Sequence, residues 1–201
     1  MSPFPEQSPE FCFWQWFEEN EARMFDFDGN NEQDVKDLLR ELHRVNSSLT
    51  FEIGSERDGK REFIISADGV RTAFPSVIKL ADAAPALQRW HIIKFRPRRT
   101  DRCFIGIGDL HFSSDDVLVA LEPEGMRIGV TLFIGDADHF DEQIVGHIGF
   151  LLLDHTLGEY DVEAFVGTVS FHPKEHSSRL KKVPLRELPL VFDQLAKPLS
   201  N

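Results

Sequence analysis

The residues best suited to chemistry lie in one acidic segment, GDADHFDE, between a predicted strand and a predicted helix. Hard cations bind carboxylates at alternate positions, and a histidine can add a nitrogen ligand. A small hydrolase would draw on the same groups, which are Asp136, Asp138, His139 and Asp141. The segment does not have a glycine and a closing glutamate at the fixed spacing of an EF-hand loop. The other interpretation is therefore a polar loop whose acids are favourable near the start of a helix.

The other histidines have spacings that do not favour a metal site. His147 and Asp154 share one face of a predicted helix, but seven residues separate them by about 10 Å. His172 and His176 are four residues apart, a spacing that suits a metal on a helix, whereas Pro173 favours a loop. These two histidines open a basic, polar stretch, HPKEHSSRLKK. We expect no metal and no cofactor.

A basic cluster between residues 89 and 102 stands out against the acidic chain. Guanidinium groups bind carboxylates and phosphates through paired N–H donors. The cluster could therefore hold an anion or an acidic partner, or it could be a solvated face that neutralises neighbouring acids. Its outer members are Arg89 and Arg102, and the candidate contacts are Lys94, Arg96, Arg98 and Arg99.

An aromatic segment near the N-terminus, FCFWQWF, lies in a helix predicted from Pro9 to Met24. Its large side chains point in different directions around the helix, so one stripe should pack on the protein's own core. The remaining rings should meet a second copy of the chain, a partner, or the proline-rich lead-in at residues 1–10, because several exposed aromatics favour aggregation. Trp14 and Trp16 are the candidate interface residues.

Composition excludes several classes of protein. The net charge of −12 argues against nucleic-acid binding, because phosphates would be repelled. No apolar run reaches about eighteen residues, and the N-terminus lacks the pattern of a signal peptide, so we expect no membrane contact and a cytoplasmic location. Cys12 and Cys103 are too few for a disulfide framework and are expected to be structural thiols. The common phosphate, dinucleotide, nucleophile-elbow and zinc-helix motifs are absent from the sequence.

Changes of hydrophobic period predict helices and strands in alternating groups. Beyond the N-terminal helix, helices are predicted from about Glu32 to Val45, Phe74 to Ala84, Asp141 to Leu157 and Glu187 to Ala196. Strands are predicted at about Leu49 to Ile53, Glu62 to Ser66, Trp90 to Phe95, Cys103 to Phe112, Asp115 to Glu122, Met126 to Ile134 and Val166 to Phe171.

The order strand, strand, helix, strand occurs twice in this prediction. The two final strands share a pattern of apolar, polar, Phe, basic, Pro, basic, as IKFRPR and VSFHPK. Alternation along a strand predicts that Ile93 with Phe95, and Val169 with Phe171, point into a core. The repeated order can be explained by duplication of one unit or by chance, because the order strand, strand, helix, strand is common in α+β proteins. We predict an α+β, two-layer sandwich from two such units with extra N-terminal helices. The predicted parts are an N-terminal helical region at 1–48, a first unit at 49–112, and a second unit with the C-terminal helix at 113–201, together forming one compact domain.

Two stretches, FIISADGVRTAFPSVIKLADAAPALQRWHIIKFRPRR and LLLDHTLGEYDVE, resemble segments of an uncharacterised family of bacterial cytosolic proteins. The resemblance covers about Leu49 to Phe171. It implies a bacterial, intracellular setting and transfers no catalytic residue. The chain is also similar in size and acidity to immunity proteins of bacterial toxin systems, without a shared motif.

The missing catalytic motifs and the acidic charge favour a non-enzymatic binding module that recognises a protein partner. A basic partner would be attracted by charge, and a homodimer is the other partner hypothesis. The alternative function is a small hydrolase-type enzyme that uses the loop at residues 136–141. A cleft with an Asp or His of perturbed pKa would favour the enzyme, whereas a broad acidic face would favour the binding module.

Overall fold

Helices and strands alternate along the chain of this computed structural model, which describes residues 7–107, 110–135 and 141–199. The helices in these ranges are α1 (Pro9–Glu19), α2 (Glu21–Phe25), α3 (Glu32–Val45), α4 (Phe74–Asp82), α5 (Glu142–Leu157), α6 (Glu159–Phe165) and α7 (Leu188–Ala196). The strands are β1 (Thr50–Ile53), β2 (Arg61–Ser66), β3 (Trp90–Lys94), β4 (Phe104–Ile107), β5 (Leu110–Ser113), β6 (Leu118–Glu124), β7 (Arg127–Ile134), β8 (Val166–Pro173) and β9 (Val183–Pro184). They form an α+β fold with open mixed sheets, as predicted.

The chain separates into two compact units, residues 1–96 and 97–201, and each contains an apolar core. The N-terminal helices and the first strand, strand, helix, strand group lie in the first unit. Residues 97–112, which the sequence pattern attached to the first group, fall in the second unit.

The first unit is built on a three-stranded sheet with β2 at its centre. β2 pairs antiparallel with β1 and parallel with β3. Phe63 and Ile65, alternate residues of β2, are fully buried with side chains from α1, α3 and α4. Arg61 at the start of β2 donates to the carbonyl oxygens of Phe25 and Phe27 at 2.6 and 2.7 Å. This side chain therefore holds the end of α2 against the sheet.

The second unit is built on a four-stranded sheet with the order β8-β7-β6-β9, beside a β4-β5 hairpin. β7 pairs antiparallel with β6 and parallel with β8. Val130 and Leu132 of β7 share a core with Ile148 and Leu152 of α5 and with Phe192 of α7. The helices therefore bury one face of this sheet.

The two units repeat one topology. In each unit a hairpin is followed by a helical crossover to a strand that pairs parallel with the second strand of the hairpin. Both hairpin turns contain a glycine of positive φ, Gly59 and Gly125, in agreement with the predicted turns. Phe95 packs on Phe74 of α4 with ring centroids 4.5 Å apart, and Phe171 packs on α5.

One detail of the predicted repeat is wrong. Simple alternation placed Ile93 and Phe95 together in the first core, but Trp90 and Ile92 occupy that face of β3. Phe95 still reaches the core because its φ of 63° breaks the alternation after β3 ends at Lys94. In the second unit Val169 and Phe171 both pack against the core, as expected.

Three other elements differ from the predicted ones. The N-terminal helix breaks at Asn20, whose side chain donates to the carbonyl oxygen of Trp16. The strand predicted from Cys103 to Phe112 is the antiparallel pair β4 and β5. Helix α6 was not predicted, because a glycine after an apolar helical pattern indicates a helix end, whereas Gly158, with a φ of 81°, both ends α5 and begins α6.

Candidate binding surfaces

The inner stripe of α1 belongs to the core of the first unit. Phe13, Trp14 and Phe17 are buried, and all three rings contact the ring of Phe63. The Nε1–H of Trp14 donates to the carbonyl oxygen of Leu80 at 2.7 Å, in the last turn of α4, where carbonyls lack helical partners. Trp14 therefore lies inside its own unit, away from any partner surface.

The outer face of α1 combines an exposed ring with carboxylates. Phe11 is 52% exposed, and Gln15, Glu18 and Glu19 are also exposed. Phe11, Gln15 and Glu18 share a helix side because they are four and three residues apart. These four residues are called the α1 face below. Trp16, the second predicted interface residue, is half-buried beside it.

Negative charge is concentrated in the sequence from α1 to the start of α3. Residues 7–34 contain eight acids and one base, Arg23, and Arg23 pairs with Asp34 and Asp37 at 2.9 and 3.1 Å. The last turn of α1 contains no basic residue, although cations are the favoured charges at a helix C-terminus. Glu18 and Glu19 therefore stand where the helix dipole disfavours them.

In the first unit the predicted basic cluster is engaged by carboxylates. Lys94 forms an ion pair with Asp82. Arg96 pairs with Glu52 at 2.5 Å and with Asp68 at 2.9 Å, which ties β1 and the turn after β2 to the segment that follows β3. These two candidate contacts therefore neutralise acids of their own unit.

The second part of the cluster is engaged in the same way. Arg98 contacts Asp161 at 2.6 Å and Asp193 at 2.8 Å, and the hydrogen bond to Asp193 raises the pKa of its guanidinium. The backbone N–H of Arg99 donates to the carbonyl oxygen of His155 at 2.7 Å. Anion binding by this cluster stays a prediction, and an anion would compete with carboxylates already in place.

The predicted acidic site lies largely outside the described residues, which omit Asp136, Asp138 and His139. Asp141 is described and is the N-cap of α5, where its Oδ1 accepts from the backbone N–H of Gln143 at 2.8 Å. That hydrogen bond is the ordinary role of an aspartate before a helix. Within the described ranges, no group of three or more His, Cys, Asp or Glu side chains is arranged to hold a metal ion.

The two cysteines occupy different environments. Cys12 is exposed on α1, and Cys103 is half-buried. Burial, with a smaller contribution from the charge of Asp101, raises the pKa of the Cys103 thiol. A raised pKa reduces the thiolate fraction at neutral pH, so Cys103 has the character of a structural thiol.

A further basic region was noted in the sequence only as a polar stretch. It begins at the end of β8 with His172 and includes His176. The rings of these two residues stack with centroids 4.1 Å apart and an interplanar angle of 8°. The signal was present in the letters HPKEHSSRLKK. The sequence pattern did not indicate that these cations, unlike Arg96 and Arg98, would form no ion pair with a carboxylate among the described residues.

Comparison with known proteins adds no relative. No protein-family model matches the chain, and neither a curated protein nor a solved structure shows detectable similarity to it. Among the described residues, no helix is both long and apolar enough to cross a membrane.

Proposed function

We propose that this chain is a non-enzymatic binding module that recognises a basic protein partner through the α1 face. The observation that carries the proposal is the exposed ring of Phe11 on the same helix as the exposed carboxylates of Glu18 and Glu19. Protein interfaces are commonly anchored by an aromatic side chain and bordered by charged groups that guide the approach. The bacterial cytosolic setting implied by the resemblance belongs to the same proposal.

The local chemistry of α1 supports a role for its charge outside the fold. Glu18 and Glu19 oppose the helix dipole and form no ion pair with a basic side chain of the described residues. They therefore add little to the stability of α1. A basic segment that contacts the α1 face would offset the unfavourable interaction of these carboxylates with the helix dipole. The charge of Glu18 and Glu19 would therefore favour binding.

The same charges favour a different protein over a second copy of this chain. A symmetric contact through the α1 face would place Glu18 and Glu19 near their own copies. Like charges in such a contact repel each other. The homodimer hypothesis therefore requires another surface, and static light scattering of the purified protein tests it directly.

The proposal is tested by fluorescence anisotropy with a labelled lysine-rich peptide that contains one leucine cluster. The double variant Glu18→Gln/Glu19→Gln and the single variant Phe11→Ser should each weaken binding by roughly fivefold or more. The matched control is Glu56→Gln/Asp58→Asn, which removes two exposed acids from the β1–β2 turn. Asn is compatible with the positive φ of Asp58.

The control variant should bind the peptide as the wild-type protein does. If both double variants weaken binding equally, only net charge is involved and the α1 face is not a recognition site. If Phe11→Ser has no effect while Glu18→Gln/Glu19→Gln does, the aromatic anchor is excluded from the proposal.

A further inference from the structure

Basic side chains gather at the end of β8 and in the residues that follow it, in a chain whose net charge is −12. Residues 172–182, called the basic loop below, contain six basic side chains and a single acid, Glu175. Within the part of the chain that the structure describes, none of these six forms an ion pair with a carboxylate. The six are His172, Lys174, His176, Arg179, Lys181 and Lys182.

The basic loop is organised around one of its own lysines. The Nζ of Lys182 donates to the carbonyl oxygens of Lys174 and His176 at 3.0 and 2.5 Å. It also lies 3.9 Å from the ring centroid of Phe133, a cation–π distance. The backbone N–H of His176 donates to the carbonyl oxygen of Pro173. These contacts hold the loop in one conformation in the absence of a ligand, which lowers the entropic cost of binding.

The two imidazoles extend this arrangement as a stack. The His172 ring lies 6.1 Å from the Phe133 ring and 4.1 Å from the His176 ring. Parallel rings keep their nitrogens in separate planes, so this geometry does not direct both rings at one metal ion. Neither imidazole makes a side-chain hydrogen bond within the described residues. Their N–H groups are therefore available as donors.

The basic loop also starts at a favourable place in the sheet. β7 and β8 run parallel, with Ile134 paired to Pro173, so both strands end at the same edge. The carboxyl ends of parallel strands are a frequent location of ligand sites in α/β sheets. The equivalent edge of the first unit differs, because Arg96 there is already paired with Glu52 and Asp68.

We propose that the basic loop is a binding site for a phosphate group. Three lysines and one arginine bring four positive charges to one loop, and both ammonium and guanidinium groups bind phosphate, which carries about twice the charge of a carboxylate. The group could belong to a free phosphate anion or to a nucleotide. A nucleotide base would stack on the exposed ring of His176, as bases stack on aromatic side chains.

Isothermal titration calorimetry at an ionic strength of about 0.15 M, where the Debye length is about 8 Å, tests the site with two probes. The probes are inorganic pyrophosphate and adenosine diphosphate. Wild-type protein should bind pyrophosphate with saturation. The triple variant Lys174→Gln/Arg179→Gln/Lys181→Gln should lose about tenfold or more in affinity, because it removes three cations and retains Lys182.

A matched control removes three other cations of the described surface. Arg57→Gln/Lys60→Gln/Lys79→Gln changes the net charge by the same amount at exposed positions of the first unit. This control should keep its affinity within about twofold, since long-range charge effects are screened by salt. Absence of saturable binding by wild-type protein would overturn the site, and so would an equal loss in the two triple variants.

The two probes distinguish the source of the phosphate. Tighter binding of adenosine diphosphate, with this advantage removed by His176→Ala, assigns the site to a nucleotide. Equal affinity for the two probes assigns it to a free phosphate anion. The site does not depend on the proposed function, because the α1 face contributes none of its residues, and either can fail alone.

Discussion

Gly149 leaves room for the ring of Phe171 on the buried side of α5. A Cβ atom at Gly149 would lie 2.0 Å from Cε1 of Phe171, whereas a Cβ atom at Gly146 would lie 3.9 Å from Cε2 of the same ring. The first distance requires the ring to move, and the second is an ordinary contact. Two glycines on one helix therefore have different reasons to be there.

We expect Gly149→Ala to lower the free energy of unfolding by about 1–3 kcal/mol through overpacking. Gly146→Ala should leave it unchanged or raise it by up to about 1 kcal/mol, because alanine favours the helix. Urea denaturation followed by far-UV circular dichroism measures both. Adding Phe171→Leu to Gly149→Ala should recover part of the loss, and equal effects of the two alanines would contradict this explanation.

The contacts that single side chains make depend on partners that sequence patterns do not reveal. The aromatic stripe of α1 was predictable, but the hydrogen bond of Trp14 joins residues 66 positions apart. Arg98 was predicted as a candidate for anion contact or for neutralising nearby acids. Its partners Asp161 and Asp193 are 63 and 95 positions away. Spacing rules address neighbours on one element, so such pairs lie beyond them.

At the scale of elements, Glu124 connects the β6–β7 hairpin to β8. Its carboxylate accepts from the Oγ1 of Thr168 at 2.6 Å and from the Thr168 backbone N–H at 2.7 Å. These hydrogen bonds, with the side-chain bond first, lower the pKa of Glu124 below its usual value. Gly167 permits the approach, because a Cβ there would lie 2.2 Å from the Glu124 carboxylate.

The lowered pKa makes the contribution of Glu124 depend on pH. Its stabilisation is fully present above the ordinary glutamate pKa of 4.5 and is lost as the pH falls through the lower pKa of the folded state, since protonation weakens the carboxylate as an acceptor. Glu124→Gln should therefore reduce the difference in unfolding free energy between neutral and acidic pH. Urea titrations at both pH values measure this, with the exposed Glu122→Gln as control. If Glu124→Gln leaves the difference in unfolding free energy between the two pH values unchanged, the Glu124 carboxylate is excluded as a source of that difference.

The helices and strands that could be predicted from the sequence are those in which one hydrophobic period extends along the whole element. β7 and α5 each carry a long apolar pattern, and the structure places them within one or two residues of the predicted bounds. The short β9 was not predicted, because Val183 and Pro184 show no alternation over two residues. β9 exists through its pairing with Leu118 and Val119 of β6, so tertiary contact rather than local preference creates it.

At the scale of the whole molecule, the two units carry different spectroscopic probes. All three tryptophans, Trp14, Trp16 and Trp90, lie in the first unit. Their fluorescence therefore reports on that unit, whereas far-UV circular dichroism reports on both. Each unit has a separate core cluster, and chains with separate cores often depart from two-state unfolding.

We expect the fluorescence and circular dichroism transitions to occur at different urea concentrations. Gly149→Ala, which alters the second core, should shift the dichroism transition and leave the tryptophan transition in place. Both measurements use the intact chain. Coincident transitions that shift together would show instead that the two cores unfold as one cooperative unit.

The strand order has a consequence for how the chain folds during synthesis. Every strand of the first sheet has been translated once Lys94 is complete. The second sheet needs β9, which pairs Leu118 with Pro184 across a long stretch of sequence. Because domains commonly fold in order as they leave the ribosome, the first sheet can close around the aromatic rings of α1 early. The nascent chain thereby buries the aromatic, aggregation-prone segment of α1 while the second unit is still being synthesised.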